Sequence, residues 1–67
     1  MTVFINSKPK DLPAEVNTVE KLLEFLRIPH GGTGVGINNR LIKSKDWSVT
    51  FLKPEDNILI ISATYGG

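Results

Sequence analysis

Near its end the chain runs Asn57-Ile58-Leu59-Ile60-Ile61-Ser62-Ala63-Thr64, and this segment constrains the fold more than any other. Successive side chains of a strand point to opposite faces. Four apolar residues in a row therefore put apolar atoms on both faces at once. The expectation is a central strand, buried on both sides. Lys53-Pro54-Glu55-Asp56 just before it is a turn signal, with Pro pre-set for the second position. Sixty-seven residues make one small core. A chain of that size buries only about 60% of its unfolded surface, so every other element has to pack around this strand.

The remaining elements can be placed by the same reasoning. Thr2 to Asn6 is a short β-rich run, and Asn6-Ser7 is a tight-turn signal because Asn tolerates left-handed geometry. Lys8 to Ala14 is a weak second strand, which Pro9 and Pro13 confine to a sheet edge. Val19, Leu22, Leu23 and Leu26 form one apolar stripe at helical spacing, with Glu20, Lys21, Glu24 and Arg27 opposite and Phe25 at its flank. Asn17 or Thr18 can cap this helix, and Asn17 with Glu20 has capping-box spacing. Pro29 and Gly31-Gly32 are expected to stop it near Arg27 or Ile28.

Val35 to Asn38 is a third strand, Asn38-Asn39-Arg40 a turn, and Leu41-Ile42 a short return strand. Lys43 to Asp46 reads as a polar loop and Val49 to Leu52 as a short extended segment. The order is strand, strand, helix, strands, final strand. With the helix over one sheet face, the last strand can lie beside the first, parallel to it, in the middle of the sheet. The expected fold is α+β of β-grasp type: a mixed sheet of four to five strands on one main helix. The domain spans residues 1–64, and residues 65–67 form a flexible tail. No internal repeat or linker interrupts it.

Composition narrows the function. Eight basic and seven acidic residues give a net charge of +1, too balanced for the basic stripe of a nucleic-acid binder. No apolar run approaches a membrane span. The segment Met1 to Asn6 lacks the features of a signal peptide, and a cytoplasmic protein is expected. The chain has no cysteine, which removes disulfides, thiolate metal sites and a cysteine nucleophile. With a single His and no clustered carboxylates, no metal site is expected.

Several groups invite a chemical reading that a plainer one outweighs. Gly31-Gly32-Thr33-Gly34-Val35-Gly36 lacks the spacing of a phosphate loop and follows a helix instead of preceding one; it reads as a flexible connection. His30 has no nucleophile beside it and reads as an exposed loop residue. Glu55-Asp56 reads as a solvated turn. Arg40, Lys43 and Lys45 read as solvated loop charges, although an acidic partner could use them. Trp47 and Phe51 read as core or rim packing, since one Trp without interleaved basic residues is no base-stacking platform. The Ile58–Ile61 run is core first, with one sheet side left partly open as the lesser alternative.

The sequence closes with Tyr65-Gly66-Gly67. A free carboxylate is a poor electrophile, because its charge is delocalised and its leaving group is oxide. As an acyl-adenylate it becomes reactive. Glycine suits a segment threaded into a partner's active site, having no Cβ and wide conformational freedom. An activated glycine also has no stereocentre to lose. The plain alternative is an inert, flexible end.

Taken together, these residues resemble the small sulfur carrier proteins of thiamine biosynthesis, the ThiS type. The resemblance is carried by Thr18-Val19 opening a helix with Leu22-Leu23 and Leu26, by Val35-Gly36-Ile37-Asn38 with Leu41-Ile42 and then Trp47, by Leu52 and the acidic turn Glu55-Asp56 before Ile58, and by the final Gly66-Gly67. It covers essentially the whole chain. It implies a carrier and not an enzyme, with no cofactor of its own. An E1-like adenylating enzyme of the ThiF type would use ATP to activate the Gly67 carboxylate. A cysteine desulfurase or rhodanese-type donor would then supply sulfur to make a thiocarboxylate. A thiazole synthase of the ThiG type would receive that sulfur. Tyr65, Gly66 and Gly67 would be the residues entering the partners' sites. Tyr65 departs from the family, which more often has a small or aliphatic residue there.

Three other readings share the fold. The small subunit of molybdopterin synthase uses the same chemistry, but such chains are usually longer and carry a proline before the terminus, where this one has Ser62-Ala63-Thr64-Tyr65. A ubiquitin-like modifier would end in an isopeptide bond from Gly67. A plain β-grasp interaction module would have an inert tail.

Overall fold

The computed structural model describes residues 1–62. Its elements are β1 (Thr2–Ile5), β2 (Lys8–Asp11), α1 (Val19–Phe25), β3 (Thr33–Ile37), β4 (Arg40–Ile42), a 3-10 helix (Ser44–Val49) and β5 (Asn57–Ser62). The five strands form one sheet in the order β2-β1-β5-β3-β4. β5 runs parallel to β1 and antiparallel to β3. This is the β-grasp arrangement expected, with the apolar run at its centre and the proline-bearing strand at an edge. The expected strand residues Ala63 and Thr64, the boundary after residue 64 and the tail Tyr65–Gly67 lie outside the described residues.

Two hairpins frame the sheet. Ile5 pairs with Lys8, and Ile37 with Arg40, each across a two-residue loop. Asn6 and Ser7 have φ of 51° and 70°, and Asn38 and Asn39 have 51° and 69°. Both loops thus have two left-handed residues, the backbone twist that suits a tight hairpin.

The helix begins as one of the two expected caps requires. The Thr18 side-chain oxygen accepts the Lys21 N–H at 3.2 Å. Asn17 does not form the expected capping box; its carbonyl instead accepts the Leu52 N–H at 2.9 Å. Helix termination differs in cause from the sequence expectation. Arg27 turns left-handed (φ 59°), the Arg27 N–H donates to the Glu24 carbonyl and the Ile28 N–H to the Leu23 carbonyl. This is a Schellman ending, complete before Pro29 and the glycines are reached.

The core lies between one sheet face and α1. Val19, Leu22 and Leu23 from the helix meet Val3, Val35, Ile37, Ile58 and Ile60 from the sheet. Leu12, Val16, Trp47 and Leu52 close its ends. Each fully buried aliphatic side chain contributes roughly 1.5–3 kcal/mol relative to exposure. Lys43 to Asp46 is not simply a polar loop, because Ser44–Val49 forms a 3-10 helix that drops Trp47 into the core. The Trp47 Nε1–H donates to the Ile42 carbonyl at 3.0 Å, so burying the indole leaves no orphaned donor. Past that helix, the Thr50 carbonyl accepts the Val19 N–H, and Phe51 bridges to Thr18. The stretch Thr50 to Leu52 therefore pairs with the helix start at Asn17 to Val19.

The strongest correction concerns β5. It is central by hydrogen bonding, but it is not buried on both faces. Ile58 and Ile60 are 2% and 8% exposed, whereas Leu59 and Ile61 are 53% and 61% exposed. The described residues contain one α-helix, and one helix covers one face. The lesser alternative, a partly open sheet side, is what the structure adopts.

Candidate functional site

The open sheet face is the most distinctive surface of the molecule. Strand pairing sets what lies on it. Leu59 is opposite Gly36 and Ile61 is opposite Gly34, while Gly36 is also opposite Leu41 on β4. Residues directly across a ladder share a face, so Gly36 lies between Leu59 and Leu41, and Gly34 lies beside Ile61 on the same face. With no Cβ there, a groove of about 560 Å³ opens along β3. Leu59 and Ile61 wall one side and Leu41 the other, and the two hairpin turns at Asn6-Ser7 and Asn38-Asn39 also line it. Leu41 is also well exposed. An added Cβ at Gly34 would sit 3.9 Å from the Ile61 carbonyl oxygen, and one at Gly36 would sit 3.5 Å from the Arg40 carbonyl oxygen. Both are ordinary contacts, so the glycines shape the groove without being required by backbone crowding.

Two asparagine side chains hold β5 from its flanks. At its start, Asn38 Oδ1 accepts the Asn57 N–H at 2.9 Å and Asn38 Nδ2 donates to Asp56 Oδ1 at 3.0 Å. Near its end, Asn6 Oδ1 accepts the Ile60 N–H at 2.8 Å and Asn6 Nδ2 donates to the Ile60 carbonyl at 3.2 Å. The sequence marked both asparagines only as turn residues. Nothing in their spacing to residues 56–60 announces the second role, which depends on strand order.

The other sequence candidates distribute as follows. Gly34 and Gly36 belong to β3, which begins two residues before the expected Val35, so the glycine-rich segment is only partly a connection. The alternation Thr33-Gly34-Val35-Gly36-Ile37 carried a period-two signal that would have shown it. His30 is exposed as expected, yet its ring meets Trp47 edge-on at 5.6 Å and 89°. Glu55 is exposed with φ 67°, but Asp56 is not solvated: it is 7% exposed, accepting from the Lys53 N–H at 2.8 Å and from Asn38. Its carboxylate ties the turn to the β3–β4 hairpin and is spent on structure. Arg40, Lys43 and Lys45 are all exposed. Trp47 is core, whereas Phe51 stays largely exposed. Among the described residues no three His, Asp or Glu side chains gather as metal ligands, and no helix is long and apolar enough to cross a membrane. The expected reactive residues Tyr65, Gly66 and Gly67 lie outside the described residues.

The arrangement is therefore an open apolar face on the central strand β5, with Leu59, Ile61 and Leu41 exposed along the groove. The model of the ThiS family matches residues 3–67. A crystal structure of a thiamine biosynthesis protein (ThiS) from Geobacter metallireducens superposes with a TM-score of 0.82 at 22% identity, covering 100% of both chains. An NMR solution structure of a thiamine biosynthesis protein from the same organism gives 0.82 and 22%, covering 100% of this chain and 88% of the other. At that identity the superposition speaks to the fold. No protein of curated function matches the sequence significantly.

Proposed function

The chain belongs to the ThiS family, and from that premise we propose that it is a sulfur carrier of thiamine biosynthesis whose working group is the Gly67 carboxylate. The observation that carries this reading is the family match itself, which runs through Gly66 and Gly67 to the last residue. The open face of β5 supports it, because a carrier without catalytic side chains has to be gripped by the enzymes that act on it.

In the proposed cycle an E1-like adenylating partner joins the Gly67 carboxylate to the AMP moiety of ATP and releases pyrophosphate. The acyl carbon, no longer a resonance-stabilised anion, is attacked by the outer sulfur of a cysteine persulfide on a cysteine desulfurase or rhodanese-type donor. AMP departs and an acyl disulfide forms. A thiol then attacks the donor's cysteine sulfur, breaking the S–S bond to release the thiocarboxylate and leave a disulfide. The resulting thiocarboxylate delivers its sulfur to a thiazole synthase. This chain's contribution is to be gripped through its open face while the terminus enters the partner's site. Holding reactants in place can supply several kcal/mol of a barrier, on the order of 7–11 in the best cases.

Intact-mass measurement tests the proposal. The chain is incubated with ATP, the adenylating enzyme and a sulfur donor, beside a chain lacking Gly67. A mass change matching one oxygen-to-sulfur exchange, absent in the truncated chain, is the expected result. No change, while the same enzyme processes a known carrier, overturns it. Sulfur transfer from the product to thiazole synthase then tests the pathway.

A further inference from the structure

Exposed apolar side chains and unpaired basic ones occupy the same part of the chain. Among the described residues, Phe25, Leu41, Val49, Phe51, Leu59 and Ile61 are the large apolar residues left exposed. Phe25 is partly covered by its own chain, with Lys10 Nζ 5.7 Å from its ring centroid. The others all fall between residues 41 and 61. Charge divides the same way. Residues 11–24 carry Asp11, Glu15, Glu20 and Glu24 against Lys21, whereas residues 40–53 carry Arg40, Lys43, Lys45 and Lys53 against Asp46. These four cations are exposed, and among the described residues none of their side chains forms an ion pair or hydrogen bond.

The two properties meet at β4, an edge strand of the sheet. Pairing puts Leu41 on the open face, opposite Gly36, and puts Arg40 and Ile42 on the covered face, opposite Ile37 and Val35. Leu41 therefore borders the groove along β3. A second hollow, of about 360 Å³, is lined by Ile37, Ile42, Thr50 and Phe51 together with Arg40 and Lys53. Arg40 lines both hollows. Asp56 also borders the second one, but its carboxylate already accepts from the Asn38 amide and the Lys53 N–H. The uncommitted charges there are positive.

We propose that β4 is gripped from both sides by a partner protein whose contact surface sets apolar side chains among carboxylates; on the carrier reading above, that partner is the adenylating enzyme. Its apolar side chains cover Leu41 on one side and Phe51 on the other, and its carboxylates face Arg40 and Lys53. Unpaired exposed charges steer encounter and fix register, whereas a desolvated aromatic anchor holds the complex once formed. Salt separates the two contributions, because it screens exposed charges beyond about 10 Å at 0.1 M and leaves apolar contact in place.

The test measures association and dissociation rates of the full chain with the adenylating enzyme by biolayer interferometry, at about 50 and about 500 mM salt. Arg40→Glu with Lys53→Glu should slow association about 10-fold at the lower salt and about twofold at the higher. Arg40→Gln with Lys53→Gln should fall between that pair and the unaltered chain. Phe51→Ser should speed dissociation about 10-fold at both salts. Lys8→Glu with Lys21→Glu makes the same change in net charge at exposed positions elsewhere, and should alter association by less than about twofold. Far-ultraviolet circular dichroism checks each fold; if the glutamate pair fails to fold, the glutamine pair decides. Equal slowing by the Lys8 and Lys21 changes, or rates unmoved by the Arg40, Lys53 and Phe51 changes, overturns the grip on β4 and leaves the carrier reading intact. So does sedimentation velocity showing that the chain alone self-associates and that these same changes dissociate it, which assigns the surface to a second copy. If the unaltered chain acquires no sulfur with an enzyme that processes a known carrier, the carrier reading falls and the proposed partner falls with it.

Discussion

Ile60 and Ile61 are the same residue type, adjacent on the same strand, and they have opposite surroundings. Ile60 is packed beneath α1, and Ile61 looks out across two glycines. The same holds for Ile58 and Leu59 one step earlier. Hydrophobicity therefore did not decide burial here; the number of covering layers did. The covered face supplies the cohesion of a small domain. The open face adds little cohesion and is left available for contact. A row of exposed apolar side chains on a central strand is uncommon enough to ask for a partner.

Truncating each isoleucine in turn would test that division directly. Ile60→Ala should cost about 2–4 kcal/mol, a large part of the stability of so small a domain, whereas Ile61→Ala should cost under about 1 kcal/mol. Urea denaturation of the two variants measures both, and equal losses would mean that something covers the open face in solution.

A smaller effect should separate docking from folding. Leu59→Ser with Ile61→Ser is expected to raise the KM of the adenylating step by about 10-fold, equivalent to about 1.4 kcal/mol of binding, with the far-ultraviolet circular dichroism preserved. An unaltered KM would remove the open face from the docking argument.

The smallest contrast lies at the helix start. Thr18→Ala removes an occupied cap and should cost about 1 kcal/mol. Asn17→Ala should be milder, since the Asn17 Oδ1 atom has no hydrogen-bond partner among the described residues. If Asn17→Ala proved the costlier of the two, the cap would be assigned to the wrong residue.

Much of this was legible beforehand because it is local. The helix stripe at Val19, Leu22 and Leu23, both asparagine turns, the edge position of the Pro9 strand and the central position of β5 all follow from patterns within a few residues. What was misread depends on contacts between distant segments. Asp56 looked like half of a solvated acidic turn, and only the approach of Asn38, eighteen residues earlier in the chain, explains its burial. Trp47 could be placed inside, but the 3-10 helix that delivers it could not be read from Lys43 to Asp46. The helix end was expected from Pro29 and the glycines, whereas left-handed Arg27, a residue with no strong turn preference, had already closed it. The candidate site was legible only in part. A partly open sheet side was available as an alternative from the Ile58–Ile61 run, while the groove between Leu41 and Leu59 needed strand order before Gly34 and Gly36 could be seen to form its floor; the terminal glycines lie outside the described residues.

The sequence by itself determined the β-grasp order and the family to which the chain belongs, because periodicity, turn chemistry and residue type are properties of short segments. Tertiary structure alone decided which face of β5 is left open and which side chains hold that strand. Both depend on what lies beside it: a single helix can cover one face only, and β1 turns away just where the Asn6 amide can replace it.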